Sequence, residues 1–266
     1  MLRNAQCAFF NMTKSKNIFL KIEYVGTRYH GWQKQRNVSS KKRRKSSTVQ
    51  QSIENALEQI LQQPVNLIAS GRTDAGVHAK DQCANFKANT DISLQRLKIS
   101  LNALLDDDIR IKAIKYVKSD FHCRYDARSK IYRYVILNKA HGSAFLRQTA
   151  LHIFRPLDIK QMQKQAKVLK GMHDFKSFQA ADKKERSSVR TIKNISVKKK
   201  GSLILIDIEA DGFLYNMVRN IVGTLIAIGR NKLKPGDMKK ILDKKNRRYA
   251  SPTAQAKGLC LLKVKY

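Results

Sequence analysis

A chain of 266 residues, 42% of them apolar, is long enough to fold as one large or two ordinary domains around a buried core. Its longest apolar run, Ile221 to Ile228, is broken by Gly223 and Thr224 and bracketed by Arg219 and Arg230, which excludes a membrane-spanning helix. With 54 Lys and Arg against 20 Asp and Glu, the formal charge of +34 calls for a polyanionic partner, for which nucleic acid is the usual candidate; a solvated basic surface is the plainer alternative. Much of the excess is local, in Lys41 to Lys45, Lys198 to Lys200 and the Arg230 to Arg248 region, and charge of that kind gives affinity without sequence selectivity.

Residues 1–16 read as a flexible leader with too short an apolar patch for a secretory signal; an organellar presequence and a start at Met12 are the alternatives. Ile18 to Tyr24 then reads as a strand. After YVGTRYHGWQKQ, residues Asn37 to Ser47 (NVSSKKRRKSS) read as an inserted basic loop, either a phosphate-grasping arm or a solvated tether. Val49, Ile53, Ala56, Leu57, Ile60 and Leu61 recur at helical spacing behind a Ser47-Thr48 cap. Short strands follow at 65–70 and 82–88, with GRTDAGVHA as the loop between them. Leu94, Leu97, Leu101, Leu104 and Leu105 mark a second helix, and Ile109 begins an alternating strand that runs towards Val117. The polar stretch Ser119 to Arg128 has no clear period and reads as a boundary, dividing the chain into an N-terminal domain, 17–118, and a C-terminal domain, 119–266.

The second half repeats the order. A strand at Ile131 to Leu137 leads to a helix on Ile159, Met162, Ala166 and Leu169, capped by Asp158. Strands follow at 191–197 and 203–210, then an apolar helix from Met217 to Ile228, a short helix around Met238 and Ile241, and a last strand from Leu259 to Val264. The expected fold is therefore α+β: two related split β-α-β domains (β-α-β-β-α-β, as in ferredoxin-like and RRM folds), with largely antiparallel sheets and a cleft between them.

Four scattered cysteines (Cys7, Cys83, Cys123, Cys260) form no CxxC pair, and no HExxH is present, so neither a zinc site nor a disulfide framework is expected and reduced thiols in the cytoplasm are the default. In GRTDAGVHA the glycines allow tight turns, and Arg72 offers a planar fork for phosphate or carboxylate. Read by spacing alone, the Asx-turn with Arg72 exposed stands ahead of a functional Asp74, and a capped or stacked ring ahead of a general base at His78. Arg28, Trp32 and Gln33 end the first strand in side chains suited to stacking and bonding bases, although Trp32 could simply pack a loop. Lys130 opens the SKIYRY strand, in which Tyr132 and Tyr134 share a face. Arg219 sits in an otherwise apolar helix, where an uncompensated charge would be costly, so it wants a carboxylate.

GRTDAGVH, YVGTRYHGWQKQ followed by TVQ, FHCRYDARSKIYRY, HDFKSF, MVRNIVG and KGLCLLKVKY together resemble the tRNA pseudouridine synthase A family, in family order, from Ile18 to Tyr266. The resemblance implies paired α/β domains sharing a continuous sheet around a basic cleft, in a cytoplasmic homodimer. It implies isomerisation of uridine to pseudouridine at positions 38 to 40 in the anticodon stem-loop of tRNA, with neither cofactor nor metal. Asp74 matches the catalytic aspartate, Tyr132 the active-site tyrosine, Arg219 the arginine that pairs with the aspartate, Arg72 the arginine that helps expel the base, and Leu259 an apolar pocket position. Arg28, Trp32, Gln33, His78 and Lys130 are further candidates for RNA contact. The sequence departs from the family pattern in the length of the Asn37–Ser47 insertion, in Asp107 and in Ser188, each of the latter two where a proline is common. The rival readings are a non-catalytic tandem RNA-binding protein, which gives no reason for Asp74 and Arg219 to coexist, a pseudouridine synthase with a different choice of tRNA site, and a nucleoside hydrolase, which would want a second acid or a metal.

Overall fold

A computed structural model describes residues 15–34, 48–181 and 187–266; the basic insertion and nearly all of the expected leader lie outside the described residues. Among the described residues, ten strands and five α-helices form a mixed α+β fold around one sheet that is mostly antiparallel. The first half contains β1 (Lys16–Tyr24), α1 (Val49–Leu61), β2 (Ile68–Ala69), β3 (His78–Ala88), α2 (Leu94–Leu104) and β4 (Ile109–Val117). The second contains β5 (Ser129–Asn138), β6 (Leu151–Ile153), α3 (Ile159–Lys167), β7 (Gly171–Asp174), β8 (Val189–Lys200), β9 (Leu203–Ala210), α4 (Met217–Gly229), α5 (Asp237–Asp243) and β10 (Leu259–Lys265). Across the sheet the order is β4-β1-β3-β10-β5-β9-β8-β7, with β2 on β3 and β6 on β5.

Local chemistry accounts for most of the boundaries. Thr48 caps α1 by accepting from the Gln51 amide, and Asp158 does the same for α3 at Gln161. The α1 positions Val49, Ile53, Ala56, Leu57 and Leu61 bury one stripe. In α4 every residue except Arg219 and Ala227 is buried, so this helix runs through the interior of its half.

Three elements differ from the sequence reading. The apolar run 65–70 forms a strand only at Ile68–Ala69, because its earlier amides are taken elsewhere: the Glu54 carboxylate of α1 accepts from Leu67 N at 3.0 Å. The nearby edge of β3 is instead shared with β10, which pairs with it in parallel at Cys260↔His78 and Leu261↔Ala79. The short strands β6 and β7 escaped notice. Leu151–Ile153 has three residues and Gly171–Asp174 includes a glycine and an aspartate, so pairing with β5 and β8 makes these strands, not local propensity.

β10 is the last strand in sequence yet lies between β3 and β5, so the chain's C-terminal strand joins the halves into one sheet. An extra residue at Leu262, where the β10–β5 register shifts between Leu261 and Lys263, bends that junction beside Tyr132. The connecting segment is pinned as well. Asn17 Nδ2 donates to the Lys118 and Phe121 carbonyls, Asn85 Nδ2 donates to Asn17 Oδ1, and the Cys123 amide donates to Asn85 Oδ1.

His78 is a second tie between the halves. Its Nδ1 accepts from the Gly26 amide at 3.0 Å, and its Nε2 faces the Gln148 and Lys257 carbonyls at 2.9 and 3.0 Å. Those partners require the neutral ring with its proton on Nε2, and burial moves the imidazole pKa below its usual value. Gly26 reaches this position because it has no side chain: a Cβ there would lie 1.9 Å from the Val77 carbonyl oxygen. Gly26→Ala should therefore lower unfolding free energy by about 1–3 kcal/mol, as overpacking does, in a urea titration of the purified protein. Unchanged stability would show that the turn yields at no cost.

Candidate active site

The Ser70–Val77 loop is held from behind by buried polar side chains. Ser70 N donates to the Cys83 carbonyl, Ser70 Oγ to Gln82 Oε1, and Gln82 Nε2 to the Gly71 carbonyl. Thr73 is fixed twice: its hydroxyl meets the Tyr24 phenol at 2.7 Å, and its carbonyl accepts from the Trp32 amide at 3.0 Å. Gly31 makes that approach feasible, since a Cβ on it would be 2.6 Å from Thr73 O and its φ is +83°. The loop then closes in a turn, Val77 N donating to Asp74 O, through Gly76 at φ +77°. The outcome is a rigid loop whose Asp74 side chain is only 27% exposed.

Arg219 meets Asp74 from the other half of the chain, with Nη1 3.0 Å from Oδ2 and an arginine side chain 17% exposed. The same Nη1 donates to Asn216 Oδ1, and Nε donates to the Ala254 carbonyl at 2.8 Å. The Ala254 amide returns a bond to the Arg219 carbonyl. Asn216, at φ +58°, starts α4 in the left-handed region that asparagine tolerates. The segment carrying Ala254 is tied to α4 by Asn220, whose Oδ1 accepts from Thr253 Oγ1 and Arg247 Nη2, and by Thr224 Oγ1, which accepts from Ser251 N. Gly223 lets that segment come close, because a Cβ there would sit 2.0 Å from the Pro252 carbonyl oxygen. An arginine with these bonds has one orientation, and it faces Asp74.

The pair lies in a cleft of about 920 Å³ lined by both halves. Asp74 is the sole carboxylate among the described residues lining it, beside Arg72, Arg124, Lys130 and Arg219. Tyr132 and Leu259, both buried, belong to the apolar part of the lining, and the Tyr132 ring meets Phe213 edge to face at 5.1 Å. Burial, with smaller contributions from Tyr24 and Asp74, pushes the Tyr132 phenol well up, so the ring is neutral. Its neighbour on the same face, Tyr134, is core, its hydroxyl donating to the Gln255 carbonyl. Arg72 is exposed and makes no hydrogen bond or ion pair among the described residues. Lys130 Nζ donates to the Ser70 carbonyl at 2.6 Å, and burial followed by the nearby Arg124 charge lowers its pKa to about 8.

Other residues singled out by sequence fall elsewhere. Trp32 lines the cleft but is 1% exposed and packs against Tyr24, so the indole is part of the core that backs the loop. His78 is buried with both ring nitrogens bonded, as described above. Arg28 lies outside the cleft lining, its Nε on Asp108 Oδ2 at 2.7 Å and a second nitrogen near Asp106. Gln33 is exposed on the cleft. Sequence reasoning missed Asn216, Phe213, Gln82 and the Ala254 carbonyl. Of these, Asn216 had a signal, since i and i+3 place it on the Arg219 side of the helix.

Such a site, one carboxylate fixed by an arginine in an otherwise cationic cleft, suits an enzyme acting on a polyanion. The sequence profile of tRNA pseudouridine synthases matches residues 21–126 and 165–266. The tRNA pseudouridine synthase A of Thermoanaerobacter sp. strain X514 is 43% identical over 251 residues, covering 94% of this chain and all of the relative, and that of Acetivibrio thermocellus has the same identity and coverage. The Buchnera aphidicola (subsp. Schizaphis graminum) protein of that name is 43% identical over 95% of this chain and 93% of its own length. The chain belongs to the tRNA pseudouridine synthase family. Among solved structures, a crystal structure of a Cbf5-Nop10-Gar1 complex overlaps 92% of this chain and 48% of that one at 10% identity and a TM-score of 0.35, too slight a likeness to carry weight.

Arg219→Ala leaves a half-shielded carboxylate without its cation. It should cost about 1–3 kcal/mol in thermal or urea unfolding, and misplacement of Asp74 should lower turnover by about a hundredfold. Unchanged melting and turnover would refute the pairing. Lys130 gives a pH signature. Its folded pKa near 8 lies below the usual 10.5, so the cost of a buried ammonium is fully present below pH 8 and is relieved between pH 8 and 10.5, where the unfolded chain binds more protons. The difference in unfolding free energy between wild type and Lys130→Met should move in favour of wild type over that window; a flat difference would contradict the burial of Nζ.

Proposed function

We propose that the chain isomerises uridine to pseudouridine in the anticodon stem-loop of tRNA, at positions 38, 39 and 40, with Asp74 as the catalytic group. The observation that carries this reading is the Asp74–Arg219 pair in a cleft with no other carboxylate among the described residues, in a chain of this family. Phosphates are drawn to the basic surface. The target base leaves its helix at a cost of a few kcal/mol, offset by stacking and backbone contacts, and the exposed Arg72 guanidinium at the cleft, without a partner among the described residues, is placed to take part. The uracil then lies against Tyr132 over the apolar side chain of Leu259.

The reaction is a rearrangement. The C1′–N1 bond breaks, the uracil turns, C1′ joins C5, the C5 proton leaves and N1 gains one, so neither a redox partner nor a group donor is required. A carboxylate held at Asp74 serves this either by attacking the sugar or base covalently or by removing a sugar proton to give a glycal. Both routes use the carboxylate that Arg219 holds, itself aimed through its bonds to Asn216 and Ala254. Burial keeps the Tyr132 phenol protonated, so at neutral pH its part is stacking by an uncharged ring.

We read the chain as two related units, 17–118 and 119–266. Support comes from the strand orders β4-β1-β3-β2 and β10-β5-β9-β8, each the fourth, first, third and second strand of its half once β6 and β7 are set aside. A homodimer in the cytoplasm belongs to the same proposal and rests on the family resemblance alone. Asp74→Asn is expected to abolish tritium release from tRNA labelled at uracil C5 while tRNA binding persists; release at the wild-type rate would sink the assignment.

A further inference from the structure

Six aromatic rings are largely exposed among the described residues: Tyr116, Tyr125, Phe145, Phe154, Tyr215 and Tyr249. Two of them, Tyr125 and Tyr215, line the cleft. Tyr125 is 77% exposed, yet its ring is stacked on His122 at 4.2 Å with an interplanar angle of 27°. A near-parallel stack covers one face of the phenol, so exposure of that size leaves the other face to solvent.

The stack is built into the backbone. The His122 carbonyl accepts from the Tyr125 and Asp126 amides, its Nδ1 accepts from the Arg124 and Tyr125 amides, and its own amide donates to Asp126 Oδ2. This turn sits in the segment that joins the halves, directly after the Asn17–Asn85 network that pins Phe121 and Cys123. A rigid turn presenting an open aromatic face on a cleft wall, with Arg124 exposed beside it and Lys130 in the same wall, combines the two features that bind single-stranded nucleic acid: a stacking surface and cations for the backbone. Core packing does not explain the ring, and its hydroxyl has no partner among the described residues.

We propose that the His122–Tyr125 stack is a base platform that takes an unpaired nucleobase next to the one delivered to Asp74, holding the strand open while the target is turned out. The inference rests on the proposed reaction, since it presupposes a nucleotide in the cleft. It assigns Tyr125 a substrate-binding part separate from the chemistry at Asp74. A base stacked on an aromatic ring contributes about 1–3 kcal/mol, so loss of the ring should weaken binding by about tenfold.

The test uses the full chain and an anticodon stem-loop RNA carrying 2-aminopurine on the 5′ or the 3′ side of the target uridine. Wild-type protein should quench one of the two probes on binding. Tyr125→Ala should lose that quenching and raise KM for tritium release about tenfold with kcat within about twofold, whereas Tyr125→Phe, which keeps the ring, should match wild type in both. Quenching and KM unchanged in Tyr125→Ala would overturn the proposal, as would a raised KM with quenching intact. If wild-type protein releases no tritium, the proposed reaction has failed, while the probes still report whether a base stacks at Tyr125.

Discussion

One ion pair organises this protein. Asp74 stands on a loop of the first half and Arg219 on a helix of the second, and a 3.0 Å contact between them spans the cleft. Holding two charges at 27% and 17% exposure costs solvation that mutual attraction offsets only when the geometry is good and the remaining donors are met. Much of the surrounding structure meets that condition. Gly31, Thr73, Tyr24 and Gln82 fix the aspartate's loop, while Asn216, Ala254, Asn220 and Thr253 fix the arginine. Neither network would have a purpose if the halves moved freely.

The sheet supplies the common frame. β10 inserts between β3 and β5, so strands from both halves share one ladder next to the site, and Tyr132 and Leu259 occupy adjacent strands of it. His78, at the start of β3, ties the Gly26 turn to carbonyls at 148 and 257. Cationic side chains then line a cleft in which Asp74, the one carboxylate among the described lining residues, is already paired, and Arg72 and Arg124 are exposed there.

Much of this was legible in the residues. Helical spacing and caps placed the helices, and the position of Arg219 inside an otherwise apolar helix correctly called for a carboxylate partner. Periodicity did not reveal that the run 65–70 would yield most of its ladder, because the deciding contact is a long-range one from the Glu54 side chain. It also did not show β6 and β7, whose pairing is tertiary. Trp32 and His78 share a composition with nucleic-acid contacts, yet burial turned them to the support of the loop; sequence holds no record of which side of a turn faces solvent. The platform at Tyr125 was hidden for the opposite reason, since a tyrosine in a polar linking segment looks unremarkable until its ring is seen open on the cleft.

The central claim is that an arginine-held carboxylate in a basic two-part cleft acts on uridine in tRNA. Mapping pseudouridines in tRNA from cells lacking this protein tests it most directly. The account predicts uridine in place of pseudouridine at positions 38, 39 and 40 of the anticodon arm, restored when the gene is returned. An unchanged pseudouridine map would contradict it.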